Sequence, residues 1–246
     1  GCLRRIATGW RSADGAAGPV QALTAWYGLI DRGQLTRGQT VLLHSAAGGV
    51  GMHALALTAL HGARVVATVG RAEKRDFLVE RCGLAARQVI VRDRRTFGVQ
   101  LDRALEALGG DGFDLVLDPV GGPFFRPAYD RLRPEGRMIL YGAADFMDRG
   151  PRPNYLRLAW RYLARPRLDP LQMIPQNRGV TGFNLIWLWE RLDRLAGALD
   201  RLSPLMTHPP YVGQRYPFAE APAALRFLQS GKSIGKVVLE MPADTP

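Results

Sequence analysis

Residues 40–57, TVLLHSAAGGVGMHALAL, decide the fold. A short β-rich run leads into small residues and then into apolar residues at helical spacing, so the segment reads as strand, tight turn and helix. The unit recurs along the chain. β-rich runs at 40–46, 63–69, 88–93, 113–120 and 136–143 alternate with helical patterns near 49–61, 72–82, 97–108 and 122–132. Unbroken apolar runs suit strands buried on both faces, and helices between them impose parallel crossovers. The expected architecture is α/β, a doubly wound parallel sheet of Rossmann type. A sixth strand is expected at 178–184, beyond a Pro-broken stretch, and a long helix at 185–202 whose Trp and Leu positions read as core.

Composition narrows the classes. An apolar fraction of 47% over 246 residues belongs to a folded globular chain. Of the 33 basic residues only Lys74, Lys232 and Lys236 are lysines, and the arginines are scattered instead of striped, so the formal charge of +11 does not argue for nucleic acid. Cys2 and Cys82 form neither a metal-ligand pattern nor a disulfide framework, which fits a reducing cytoplasm. No run approaches the ~18 apolar residues that a membrane span needs.

The turn between the first strand and helix is Ala46-Ala47-Gly48-Gly49-Val50-Gly51, a G-x-G-x-x-G pattern with Ala at its first position. Gly48 lets backbone approach a pyrophosphate, Gly51 lets helix and strand pack closely, and the N–H groups of the helix start face the anion. A small-residue turn could look the same, but the flanking strand and helix are the context the motif requires. At the end of the second strand an NAD site expects Asp or Glu on the ribose hydroxyls. Here the chain reads VGRAEKR, with Gly70 followed by Arg71, Lys74 and Arg75. Arg71 and Lys74, three apart at a helix start, can meet a 2′-phosphate, so the cofactor expected is NADPH.

Together the segments GPVQALTAWYGLIDRGQLTRGQTVLLHSAAGGVG, ATVGRAEK, LDPVGG, YGA, DPLQMI, GVTGFNL and GKVVL resemble, in order and spacing, the medium-chain dehydrogenase/reductase superfamily. Within it they resemble the zinc-independent NADPH:quinone oxidoreductases, of the vesicle amine transport protein-like branch. The resemblance covers residues 15–241 and implies hydride transfer from NADPH to quinones or other conjugated carbonyls. It implies that backbone at Ala47, Gly48, Gly49 and Val50 holds the pyrophosphate with Gly51 packing behind, that Arg71 and Lys74 take the 2′-phosphate, and that Thr24, Gly142, Phe183 and Asn184 flank the nicotinamide. Arg92 stands where relatives often carry a Tyr at the adenosine end. No metal is expected, and a homodimer paired through the sixth-strand edge is.

Relatives of this type open with a GroES-like catalytic domain that forms one wall of the cleft, whereas the match here begins at the hinge helix. The implied division is an irregular segment 1–14, a dinucleotide-binding domain 15–204, and a segment 205–246 that returns to an incomplete catalytic domain. The last strand, 236–240, would then lack its neighbours and present an unpaired edge. Catalytic residues are not identifiable. Tyr141, at the end of the fifth strand, reads as core; His44 and His53 read as packing residues; Asp118 either caps the next helix or approaches the nicotinamide ribose. SGKS at 230–233 imitates the end of a P-loop, but Arg226 stands where its first Gly belongs. Ser45 is not in a nucleophile elbow. Two other readings stand beside the reductase: a non-catalytic NADPH-binding module, and an enoyl reductase domain of a polyketide or fatty-acid synthase.

Overall fold

A computed structural model describes residues 5–146 and 154–242. Six strands form one parallel sheet: β1 (Thr40–His44), β2 (Arg64–Val69), β3 (Val89–Val91), β4 (Phe113–Asp118), β5 (Leu132–Leu140) and β6 (Gly179–Gly182). Their order is β3-β2-β1-β4-β5-β6. The chain crosses to the other side of the sheet after β3, so the carboxyl ends of β1 and β4 flank a crevice.

Two apolar layers cover the sheet. Every residue of β1 is buried, with Val41 and Leu43 facing one layer and Leu42 the other. The first layer is built from the helices α2 (Pro19–Trp26), α3 (Gly49–Leu60) and α9 (Leu192–Leu202), through Ala22, Trp26, Ala54, Leu57, Leu195 and Leu202. The second uses α5 (Phe97–Ala107) and α6 (Phe125–Asp130), through Phe97, Leu101, Phe125 and Tyr129. Truncating one of these large side chains to Ala costs about 2–5 kcal/mol. Helix α4 (Ala72–Cys82) joins β2 to β3 and ends at Gly83 in the left-handed conformation, φ 70°.

Four local expectations are corrected. The helix expected over 122–132 is shorter, because β5 starts at Leu132 and pairs with Phe113. The helix expected over 185–202 breaks at Arg191 (φ −126°, ψ 61°) into a 3₁₀ segment, Leu185–Glu190, and α9. Leu188, Leu195 and Leu202 of that stretch are buried as expected, but Trp187 and Leu192 face solvent. The segment expected to be irregular through residue 14 contains the start of helix α1 (Ser12–Ala17), whose Asp14 carboxylate accepts from the Arg11 N–H at 2.9 Å.

The fourth correction concerns the last strand. β8 (Lys236–Glu240) has a neighbour on one side, β7 (Val212–Pro217), which pairs with it in parallel; its other edge has no strand partner among the described residues, as expected. Ala13 and Ala17 of α1 pack on Val212 and Val238, so this small sheet has an apolar cover of its own. Between the two strands run α10 (Ala221–Gln229) and a turn, which returns the chain to the glycine-rich loop. Two further helices, α7 (Tyr155–Leu163) and α8 (Pro170–Gln176), lie between β5 and β6. Among the described residues no helix is long and apolar enough to cross a membrane.

Candidate cofactor cleft

The residue that follows β1 is strained. Ser45 takes φ 56°, a conformation L residues rarely adopt, and this turns the chain sharply into the glycine loop. Gly48 caps α3 with extended backbone and no side-chain cap, leaving the first N–H groups of the helix directed outward. A Cβ on Gly51 would sit 2.5 Å from Ala46 Cα, Ala46 O and Ser45 O, all of them backbone. That residue must therefore be glycine if α3 is to start so close to β1.

The loop floors a cleft of about 610 Å³ at the carboxyl edge of the sheet. Ala47, Gly48, Gly49, Val50 and Gly51 line it together with Arg71, Lys74 and Arg92, so the residues expected at the pyrophosphate, 2′-phosphate and adenosine positions converge. Gly70, at the end of β2, also lines the cleft where an NAD site would carry its carboxylate. Arg71 donates to Ser230 O at 3.3 Å, which braces the guanidinium against the end of α10. Arg92 donates to Thr68 Oγ1 at 2.8 Å, and its guanidinium carbon stands 5.4 Å from the centroid of the Phe124 ring.

Beneath Arg92 the network continues inward. Thr68 Oγ1 lies 3.1 Å from Nδ1 of His44, a fully buried residue whose Nε2 has no partner among the described residues. Burial lowers the His44 pKa to about 4; the nearby Asp118 works against this and Arg92 with it. His44 is thus a neutral structural group, in line with its reading as a packing residue. His53, half-buried on α3, is also lowered by burial. Asp118 is fully buried, and its carboxylate accepts from the N–H of Val120 at 2.6 Å and of Gly121 at 3.0 Å. It holds the turn after β4, while the helical segments that follow start without a side-chain cap, so the carboxylate does not cap the next helix.

Of the residues expected around the nicotinamide, Thr24, Gly142, Phe183 and Asn184 are not in the cleft lining. Thr24 Oγ1 donates to Val20 O within its own helix at 2.7 Å. The Asn184 side chain accepts from the Ile186 N–H at 3.1 Å. Phe183 is connected indirectly: its ring stacks on Tyr141 at 6.0 Å, and Tyr141 does line the cleft. Burial, reinforced by Asp118, pushes the Tyr141 phenol well above the usual tyrosine range, so it stays protonated. Gly142 follows it, with room for a Cβ denied by Pro119 O at 2.9 Å.

Sequence reasoning missed the rest of the lining. Pro119, Val120, Ala144 and Asp145 come from the turns after β4 and β5, and Arg94, Arg157 and Arg161 add cations. The turn after α10 contributes Gly231 and Ser233, because Gly235 N donates to Ala47 O at 2.8 Å and fastens it to the loop. SGKS therefore lies beside the cleft, but at a helix end and not at the strand-to-helix turn of a P-loop.

Residues 84–239 match the family model for zinc-binding dehydrogenases. The chain belongs to that family. Within the medium-chain dehydrogenase/reductase superfamily, the chain is 31% identical over 229 residues to the human synaptic vesicle membrane protein VAT-1 homolog, covering 92% of this chain and 56% of that protein. It is 34% identical over 222 residues to highly-reducing polyketide synthase 1 of Aureobasidium melanogenum, covering 90% of this chain and 9% of the synthase. The quinone oxidoreductase of Thermus thermophilus, crystallised also as its complex with NADPH, aligns with a TM-score of 0.74 and 29% identity, over 97% of this chain and 69% of that one. The chain thus spans just over half of the vesicle protein and a small part of the synthase. Despite the family's name, the described residues contain no group of three or more His, Cys, Asp or Glu that could hold a metal ion. No step is assigned to zinc.

Proposed function

We propose that this chain is the cofactor-binding part of an NADPH-dependent reductase acting on quinones or other conjugated carbonyls. The observation that carries the reading is the cleft in which the uncapped start of α3 meets Arg71, Lys74 and Arg92 while Gly70 takes the carboxylate position. Gly48 and Gly49 leave backbone open to the pyrophosphate. Arg71 and Lys74 hold the 2′-phosphate, and Arg92 over Phe124 offers a flat cationic face to the adenosine end. Tyr141, Pro119 and Val120 would form the apolar wall at the nicotinamide, with Phe183 packed behind. Thr24, Gly142 and Asn184 keep their places at that end in this reading.

The cofactor supplies hydride chemistry when bound; the chain supplies orientation, charge and exclusion of water. Residues 205–246 are assigned as the returning part of a catalytic domain whose other wall comes from further sequence or another chain. The reading includes a cytoplasmic homodimer paired along β6, which ends the sheet. Titration with NADPH, followed by its oxidation with a panel of quinones and enones, tests it. Saturable binding without oxidation of NADPH by any acceptor would assign the chain as a binding module.

The identity with a polyketide synthase supports a second reading, an enoyl reductase domain. Faster turnover with an enoyl thioester than with any quinone would select it.

A further inference from the structure

Beside the cleft lies a cavity of about 500 Å³ walled by Arg94, Arg126, Arg157, Arg161, Arg165 and Arg167; among the described residues Asp145 is the only carboxylate in its lining. The six guanidinium groups come from the turn after β3, from α6, and from α7 with the segment that follows it. Asp145 fixes one wall: its carboxylate accepts from Arg94 Nη2 at 2.6 Å, and its backbone carbonyl accepts from Arg161. A Cβ on Gly122 would lie 2.5 Å from Asp145 Oδ2, so glycine at that turn leaves room for this arrangement. Trp160 supplies an aromatic side to the cavity.

Six cations around one cavity repel one another; Asp145 pairs with Arg94, and Asp130, outside the lining, pairs with Arg126 at 2.8 Å, so two carboxylates offset a fraction of that charge. Guanidinium forks match phosphate oxygens in geometry and charge, so the occupant this wall favours is a phosphorylated anion. Arg94, Asp145, Arg157 and Arg161 are shared with the cofactor cleft, so the two spaces adjoin. A molecule held by its phosphate here has the adjoining cleft within reach of its other end. We propose that the cavity binds the phosphorylated handle of the substrate, a diphosphate or phosphomonoester attached to the group that the cleft reduces. The substrate role rests on the oxidoreductase reading above; the anion site does not.

The test is calorimetric titration of the whole chain with inorganic pyrophosphate at saturating NADPH. Saturable binding is expected, weakened about tenfold or more in Arg126→Gln with Arg167→Gln, which touch this cavity and not the cofactor cleft. Arg126→Lys with Arg167→Lys, which keeps the charge, should retain binding, and both variants should keep wild-type circular dichroism and NADPH affinity. Displacement of pyrophosphate by NADPH, equal affinity in the wild type and the Gln variant, or no saturable binding would each overturn the site. NADPH titrated alone reports on the other reading: absence of NADPH binding refutes the substrate role, whichever way the pyrophosphate titration falls. Vesicles containing phosphatidic acid separate a lipid source. Sedimentation lost in the Gln variant, without saturable pyrophosphate binding, would overturn the assignment to a soluble substrate.

Discussion

His44 makes acid stability a direct reading of the core beneath the cleft. Its pKa falls from 6.5 to about 4 on burial, a gap of about 2.5 pH units, or about 3.4 kcal/mol at about 1.36 kcal/mol per unit. Above pH 6.5 the ring is neutral folded or unfolded, and the group is without effect on stability. Between pH 6.5 and 4 the unfolded chain binds the proton and the folded chain does not, so stability falls as pH falls. At pH 5 the loss is about 2 kcal/mol. Four groups face the ring: Thr68 holds Nδ1, Asp118 favours the charged form, Arg92 opposes it, and Phe97 packs at 5.6 Å. Urea unfolding of the wild type and of His44→Gln at pH 7.5, 6.5, 5.5 and 5.0 isolates the contribution as the difference between two curves. The wild type should lose about 2 kcal/mol more than the variant between pH 7.5 and 5.0. Parallel curves would refute the assignment of His44 as a buried neutral ring.

Three further outcomes are expected. Arg71→Glu with Lys74→Glu should weaken NADPH binding by about tenfold or more for each lost phosphate contact while changing NADH little; equal loss for both cofactors, by titration, would exclude the 2′-phosphate role. Gly51→Ala should cost about 3 kcal/mol, because its Cβ meets backbone and not movable side chains, and the check is a lowered thermal midpoint. Gly235→Ala, at φ 62° with its Cβ 2.3 Å from Tyr211 O, should loosen the turn after α10; proteolysis between residues 230 and 236 should become faster, and wild-type rates would contradict the contact.

The sheet was legible because strands buried on both faces must be apolar at every position, so Val41-Leu42-Leu43 and Leu115-Val116-Leu117 signal themselves without knowledge of their partners. The glycine loop was legible for a related reason: backbone crowding at Gly51 admits one residue type. The break at Arg191 left no such mark, since helical periodicity continues through it and only the backbone angles depart. β7 was hidden by its composition. Val212-Gly213-Gln214-Arg215-Tyr216-Pro217 is half-exposed and polar, and its partner and the covering helix α1 are far away in sequence. The tail at the cleft and the arginine-walled cavity were out of reach because each is assembled from segments that only the fold brings together.

The Gly235–Ala47 hydrogen bond does not stand alone. With its amide set to satisfy both neighbours, Gln21 accepts from Lys236 Nζ at 2.6 Å while lying against Gly49, and Arg71 grips the end of α10. The glycine loop is therefore sewn to the C-terminal segment by the residues proposed to receive the cofactor. By linkage, a ligand that stiffens this loop must also suppress fraying of the tail, and a tail that peels away must lower the loop's affinity by the same factor. Hydrogen exchange at residues 231–236 would thus act as a remote gauge of occupancy.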